Sequence, residues 1–220
     1  MDSVEKIDWE TRGTGEVTTY EVGEDVVVVP LSKAIGKRSR HDLTEVELWR
    51  GRILEIRIPK PKSGSSNEKK QPKYAWVVLA WYYSPLTYNT MGAPQDLKGY
   101  RKNDFGTYEL IYAPTHTDPV HIETLNGKEE IYQYGEGDHD ADEIPTDAFY
   151  TRSEFHTDVN KWVEGPPPRE CVCKQTYKLY EDEVMYYCPR SACRTWYHQS
   201  CLDKGNYRMR VPDISKLEDE

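Results

Sequence analysis

The chain has 220 residues, 37% hydrophobic and 30% charged, enough for one well-buried core and a small second module. Its net charge of −9 argues against DNA or an anionic membrane as the main partner and permits a basic one, such as a lysine-rich tail. No signal peptide or transmembrane segment is visible. All 5 cysteines follow Glu170 and cluster with a histidine, the pattern of metal ligation in a reducing compartment rather than of a disulfide framework. The 17 Tyr and 6 Trp, against 3 Phe, suit half-buried strands and binding surfaces.

Residues 1–19 are polar and show no period, so a flexible lead-in is expected. Val22–Pro30 predicts a strand stopped by Pro30. The stretch 33–42, containing KRSR, predicts a basic loop that also admits a nuclear-localisation reading. Val46–Ile58 alternates as a strand, and its apolar residues change face near Gly51, predicting a bulge or a close backbone approach there. The Pro-, Lys-, Ser- and Gly-rich stretch 60–73 predicts a long hairpin loop.

AWVVLAWYY, Ala75–Tyr83, is the most apolar run in the chain. It is too short to span a membrane, and its β-branched and aromatic content favours a strand ended by Pro85. Alternation puts Val77, Leu79, Trp81 and Tyr83 on one face, and Trp76, Val78, Ala80 and Tyr82 on the other. Trp81 and Tyr83, side by side beside a turn, suit two walls of a pocket; from this stretch alone, two core aromatics is the simpler reading.

Residues 87–104 are irregular, and Thr107–Tyr112 returns as a strand. Asn126-Gly127, between Val120–Leu125 and Lys128–Tyr134, predicts a tight hairpin. GEGDHDADE over 135–143 predicts an acidic loop, read as solvated. Ala148–Phe155 predicts a strand and Thr157–Val163 a short helix. A linker over 164–170 carries three consecutive prolines. Many short strands with turn punctuation predict a mainly β, barrel-like domain over 20–163.

The remaining segment, 171–220, contains Cys171-x-Cys173, Cys188-x4-Cys193 and His198-x2-Cys201. Thiolate and imidazole pairs one to four residues apart are what tetrahedral Zn²⁺ takes from small knuckle turns. Trp196-Tyr197, just before His198, suits a module that wedges an aromatic between metal sites. No paired-carboxylate, phosphate-loop or nucleophile–base constellation stands out, and the chain reads as non-enzymatic.

The cysteine spacing resembles a PHD finger, most specifically in Trp196-Tyr197-His198-x2-Cys201. The resemblance implies cross-braced ligation: Cys171, Cys173, His198 and Cys201 hold one zinc, and Cys188 and Cys193 begin a second. The family's final Cys-x-x-Cys is missing, since no cysteine follows Cys201. A RING-type cross-brace, implying ubiquitin transfer, fits the Cys-x-Cys opening and the Trp-Tyr-His less well.

VGEDVVVVP, LWRGRILEI, WVVLAWYYSP, YELIYAPTHTDPVHIETLNGK and DAFYTRSEF, in that order, resemble a bromo-adjacent homology (BAH) domain along most of 20–163. BAH followed by PHD looks like the plant and fungal BAH–PHD chromatin readers. In such readers an aromatic cage takes methylated lysine; carried over by motif, its walls are Trp49, Trp81 and Tyr83. A trimethylammonium has no N–H to donate, so ring quadrupoles and apolar contact select it. The resemblance also implies that His116 and Asp118 line the peptide groove. The alternative for these two is a turn cap before Pro119 and an exposed histidine.

The resemblance implies a nuclear, non-enzymatic reader of trimethyl-lysine on the histone H3 tail, at the Polycomb-type repressive lysine twenty-seven, in contact with nucleosomes or the Polycomb repressive machinery. The alternatives are a BAH protein–protein scaffold with no methyl-lysine site and a RING-like ubiquitin ligase.

Overall fold

The structure is a computed structural model describing residues 1–11, 14–30, 42–60, 72, 74–84, 104–135, 143–165, 169–179 and 184–205. The expected basic loop over 33–42, the loop over 60–73, the irregular stretch 87–104, the acidic loop and the three linker prolines lie outside the described residues, wholly or nearly so. The chain divides into two compact units, 1–166 and 167–220.

The first unit is built from strands β1 (Asp2–Val4), β2 (Lys6–Glu10), β3 (Val17–Glu21), β4 (Asp25–Val28), β5 (Trp49–Ile58), β6 (Trp76–Tyr83), β7 (Glu109–His121), β8 (Leu125–Lys128), β9 (Tyr132–Gln133), β10 (Tyr150–His156) and β11 (Lys161–Glu164). The main sheet runs β11-β10-β7-β6-β5-β4-β8, with β1 added to β5 and β9 to β10, while β2 and β3 form a separate hairpin. The most apolar run of the chain, β6, thus has a strand hydrogen-bonded along each edge, β5 and β7.

Val26 and Val28 of β4, Ile53 and Ile56 of β5, Val77, Leu79, Trp81 and Tyr83 of β6, and Phe155 and Trp162 of β10 and β11 meet in one core cluster. Those strands span five inter-strand steps of about 4.8 Å in the sheet, so a flat sheet would hold its ends too far apart to touch. The sheet curls around this core, and the barrel-like, mainly β expectation holds. Alternation along β6 also holds: Tyr82 points the other way, into a second cluster with Leu110 and Phe149.

That second face is polar as well as aromatic. Tyr82 donates its hydroxyl to Asp25 at 3.0 Å, and Asp25 takes both Nε and Nη2 of Arg52 at 2.9 Å. Arg50, 2% exposed, pairs with Glu129 and lies 3.5 Å over the Phe149 ring. Burial lowers its pKa from the ordinary value, and the Glu129 carboxylate pulls it back up. A third buried pair joins Arg152 Nε to Glu109 Oε1 at 2.8 Å. Each charge is matched by a partner, as a low-dielectric interior requires.

Gly51 meets the close approach expected of it: a Cβ there would lie 3.0 Å from Leu79 Cβ and 3.1 Å from the Ala80 carbonyl. The bulge of β5 is farther along, between Ile53 and Glu55, and turns Leu54 outward.

Three expectations are corrected. The lead-in 1–19 holds strands: β1 pairs with β5, and the β2–β3 hairpin buries Ile7, Trp9 and Tyr20 in the main core. Its alternating Ile7 and Trp9 are a strand signal only two residues long. Asn126-Gly127 is no hairpin turn but sits inside β8, where Val26 pairs Lys128 and Val28 pairs Leu125. One strand has an extra residue there, and Gly127 takes the positive φ of 116° that this bulge needs. Residues 157–160 form a turn and Lys161–Glu164 is strand β11, in place of the expected helix. Trp162 gains more by packing on Phe155, at 4.9 Å between rings, than a short isolated helix can supply.

The second unit holds a hairpin, β12 (Met185–Tyr187) with β13 (Trp196–His198), followed directly by helix α1 (Gln199–Lys204).

Candidate functional site

Two clusters stand out, one in each unit. In the first, β5 and β6 pair with Gly51 opposite Trp81. Trp49 lies two residues from Gly51 on the same face, diagonal to Trp81 and within reach of a large ring. The two indoles meet edge to face, 5.7 Å apart at 84°. Tyr83 follows on the same face, its ring 5.7 Å from the His116 imidazole and tilted by 33°.

Strand β7 brings the polar partners by an irregularity. Ala80 pairs Thr117, but Trp81 pairs Ala113, so Pro114, Thr115 and His116 bulge from the ladder. Pro114 has no N–H to contribute to it. Thr115 anchors the bulge to the turn after β10: its Oγ1 accepts from the Thr157 N–H at 2.8 Å and lies 3.2 Å from the Thr157 hydroxyl. The bulge carries His116 over Tyr83, with 2.6 Å between Oη and Nδ1. Asp118 Oδ2 accepts the Trp81 indole N–H at 2.8 Å and lies 3.4 Å from His116 Nε2. Burial raises the Tyr83 phenol above its ordinary pKa, and the Asp118 charge adds to the rise.

All five residues singled out from the first domain, Trp49, Trp81, Tyr83, His116 and Asp118, therefore form one contiguous group. The three rings differ in exposure: Trp81 is 3% exposed and Tyr83 0%, both within the core cluster, whereas Trp49 is half-buried. Sequence reasoning missed the hydrogen bonds linking Trp81 and Tyr83 to β7. Pro114 inside a strand was the available signal for the bulge behind them.

A groove of about 360 Å³ lies elsewhere, lined by Gly23, Glu24, Asp25, Lys128, Glu129, Glu130 and Ile131. Its carboxylates are engaged: Glu24 by Lys128, Asp25 by Arg52, Glu129 by Arg50 and Glu130 by the Tyr132 hydroxyl.

In the second unit, the ligand atoms of Cys171, Cys173, His198 and Cys201 all lie within 4.8 Å of one another. Cys171 and Cys173 come from a turn, His198 from the end of β13, and Cys201 from the first turn of α1. Cys173 Sγ is 3.4 Å from His198 Nδ1, and the His198 N–H points at Cys171 Sγ at 3.5 Å. Burial pushes the Cys171 thiol up, and hydrogen bonds from the backbone and side chains of Cys173 and His198 outweigh it, holding it at about 6. Burial, with Cys171 and Cys173 alongside, pushes Cys201 up to about 11. Three sulfurs and an imidazole converging in this way could hold a metal ion. Tetrahedral bonds of about 2.3 Å to thiolates set such sulfurs about 3.8 Å apart, within the observed spread.

Cys188 and Cys193 stand apart from these four, in the β12–β13 loop. The Tyr197 hydroxyl, 3.0 Å from Cys193 Sγ, and then Cys188 lower the Cys193 thiol. Tyr197 thus touches a cysteine, Cys193. Trp196, expected to share that role, is 42% exposed and packs on Tyr187 at 5.2 Å.

No family model matches the chain, and no curated protein matches it. Among solved structures it is similar to the BAH domain of yeast Rsc2, at 14% identity and a TM-score of 0.38, over 75% of this chain and 53% of that one. The chain thus aligns to about half the length of that structure.

Proposed function

We propose that this chain is a non-enzymatic chromatin reader of the BAH–PHD kind, acting in the nucleus in transcriptional repression. Its first unit captures a trimethyl-lysine of the histone H3 tail, at the Polycomb-type lysine twenty-seven, between Trp49, Trp81 and Tyr83. The ordered series of BAH-like motifs supports the family, and the mark follows from that resemblance. The observation that carries the site is the meeting of Trp49 and Trp81 at 84°, with Tyr83 next on the same face. The corner between two perpendicular rings turns a face of each toward a cation, an arrangement suited to a methylated ammonium. Access is through the half-buried Trp49, the one wall not enclosed.

Cys171, Cys173, His198 and Cys201 hold a structural Zn²⁺ that folds the second unit, and that unit adds a histone contact. When bound, the ion supplies folding free energy and no chemistry.

A second reading has a specific observation behind it. The enclosure of Trp81 and Tyr83, at 3% and 0% exposure, favours a scaffold whose aromatics are core alone. A methylated-histone peptide array followed by titration separates the two. The reader binds a trimethylated H3 peptide and loses it when the methyl groups are absent; the scaffold binds no methylated peptide. An autoubiquitination assay tests the remaining, enzymatic alternative, and the reader shows no transfer.

A further inference from the structure

We propose that His116 and Asp118 are positioning residues that hold Tyr83 and Trp81 in place. The inference rests on the cage reading above. It starts from the β7 bulge, which leaves Pro114, Thr115 and His116 without partners on β6 and carries His116 back over Tyr83.

The hydrogen-bond logic follows from which atoms can donate. Tyr83 Oη lies 2.6 Å from His116 Nδ1, and because the other ring nitrogen faces a carboxylate, the tautomer that satisfies both contacts has Tyr83 donating to Nδ1. A neutral imidazole accepting at Nδ1 carries its proton on Nε2. That nitrogen faces Asp118 Oδ2 at 3.4 Å, and the same oxygen accepts the Trp81 indole N–H at 2.8 Å. One carboxylate oxygen therefore serves both walls, directly for Trp81 and through His116 for Tyr83.

A buried indole N–H needs an acceptor, and rotating the Trp81 ring would break this one. Tyr83 is held the same way by His116. The Asp118 side chain itself is 54% exposed, so removing it opens no core cavity. Its loss releases the orientation of the rings and acts on capture of the ammonium group itself. A groove contact would act on the flanking peptide only.

The test uses the full chain, two probes and one resonance. The probes are a trimethyl-lysine H3 peptide and butyltrimethylammonium, which is the side-chain tip with no flanking residues. The resonance is the Trp81 indole N–H, assigned by its disappearance in Trp81→Phe. Asp118→Ala is expected to shift that resonance and speed its exchange with water, and to weaken both probes by the same factor. That factor is about fivefold, the equivalent of one hydrogen bond of about 1 kcal/mol. His116→Ala and Tyr83→Phe weaken both probes without breaking the Trp81–Asp118 bond. Asp118→Asn, which keeps an oxygen acceptor, restores the resonance and most of the affinity. Weakened peptide binding with an unchanged butyltrimethylammonium titration would overturn the proposal in favour of a groove contact, and so would an unmoved indole resonance in Asp118→Ala. If the wild type captured neither probe, the cage reading would fall and the binding half of the proposal with it; the resonance would still decide whether Asp118 orients Trp81.

Discussion

Trp49 and Trp81 sit on adjacent strands, diagonal across Gly51, with their rings at 84° and 5.7 Å apart. Only one of them is accessible, and that asymmetry governs how the site can be tested.

Trp49→Ala is the clean probe of the cage. It removes the half-buried wall, and we expect at least a tenfold loss of trimethyl-lysine peptide affinity in a folded domain. A desolvated cation–π contact is worth about 2 kcal/mol, and about 1.4 kcal/mol is already tenfold. Trp81→Ala and Tyr83→Ala should also lose the peptide, but their burial means that each costs about 3–5 kcal/mol of stability as well. Calorimetric titration beside thermal melts separates the two effects; unchanged affinity in a folded Trp49→Ala would remove the cage.

Tyr82 is the control on the opposite face. Tyr82→Phe deletes the hydroxyl that donates to Asp25 at 3.0 Å. A bond to a charged acceptor contributes about 1.5–3 kcal/mol, which a denaturant titration would resolve. Preference for the methylated peptide should be unaffected. Lost preference in this variant would mean that the ligand meets the other face of β6.

Zinc should be present at one equivalent or more per chain by elemental analysis. Chelation, Cys173→Ala or His198→Ala should unfold the second unit and leave the first intact, because structural zinc contributes on the order of 10 kcal/mol to such small modules. Backbone amide exchange reports each unit separately. An ordered second unit in a metal-free preparation would contradict this.

Glu109 and Arg152 form an enclosed pair, with Glu109 also accepting the Gly106 N–H at 3.0 Å. Glu109→Ala leaves a guanidinium buried without its counter-charge and should cost about 3–5 kcal/mol. Glu55, half-buried at the surface and paired with the exposed Arg57 at 2.6 Å, should give little change in the matching Glu55→Ala variant. Equal melting temperatures for the two variants would contradict the contrast.

Binding of a basic histone peptide should weaken only modestly with added salt. Exposed charges are screened over about 8 Å at physiological ionic strength, whereas a contact between aromatic walls is desolvated. Titration at several salt concentrations checks this. Complete loss on moderate salt addition, with cage variants still binding, would show a partner held by charge alone.

The features set by the sequence itself are those with a local period or a local spacing. Alternation along 76–83 is enough to send Trp81 and Tyr83 to one face and Tyr82 to the other, because a strand repeats every two residues whatever lies beside it. Close thiol and imidazole spacing likewise marks three ligand pairs, Cys171 with Cys173, Cys188 with Cys193 and His198 with Cys201, since knuckle turns are short-range objects; the meeting of the first and last pairs is a matter of tertiary structure. Tertiary structure decided what depends on the strand opposite. Asn126-Gly127 reads locally as a hairpin turn, yet pairing with Val26 and Val28 of β4 makes it a bulge. Ile7 and Trp9 are too few to announce a strand until Thr18 and Tyr20 stand across from them. The link from Asp118 to Trp81 and His116 exists because Pro114–His116 find no partners on β6. A bulge is a mismatch between two strands, and neither strand's own sequence contains it.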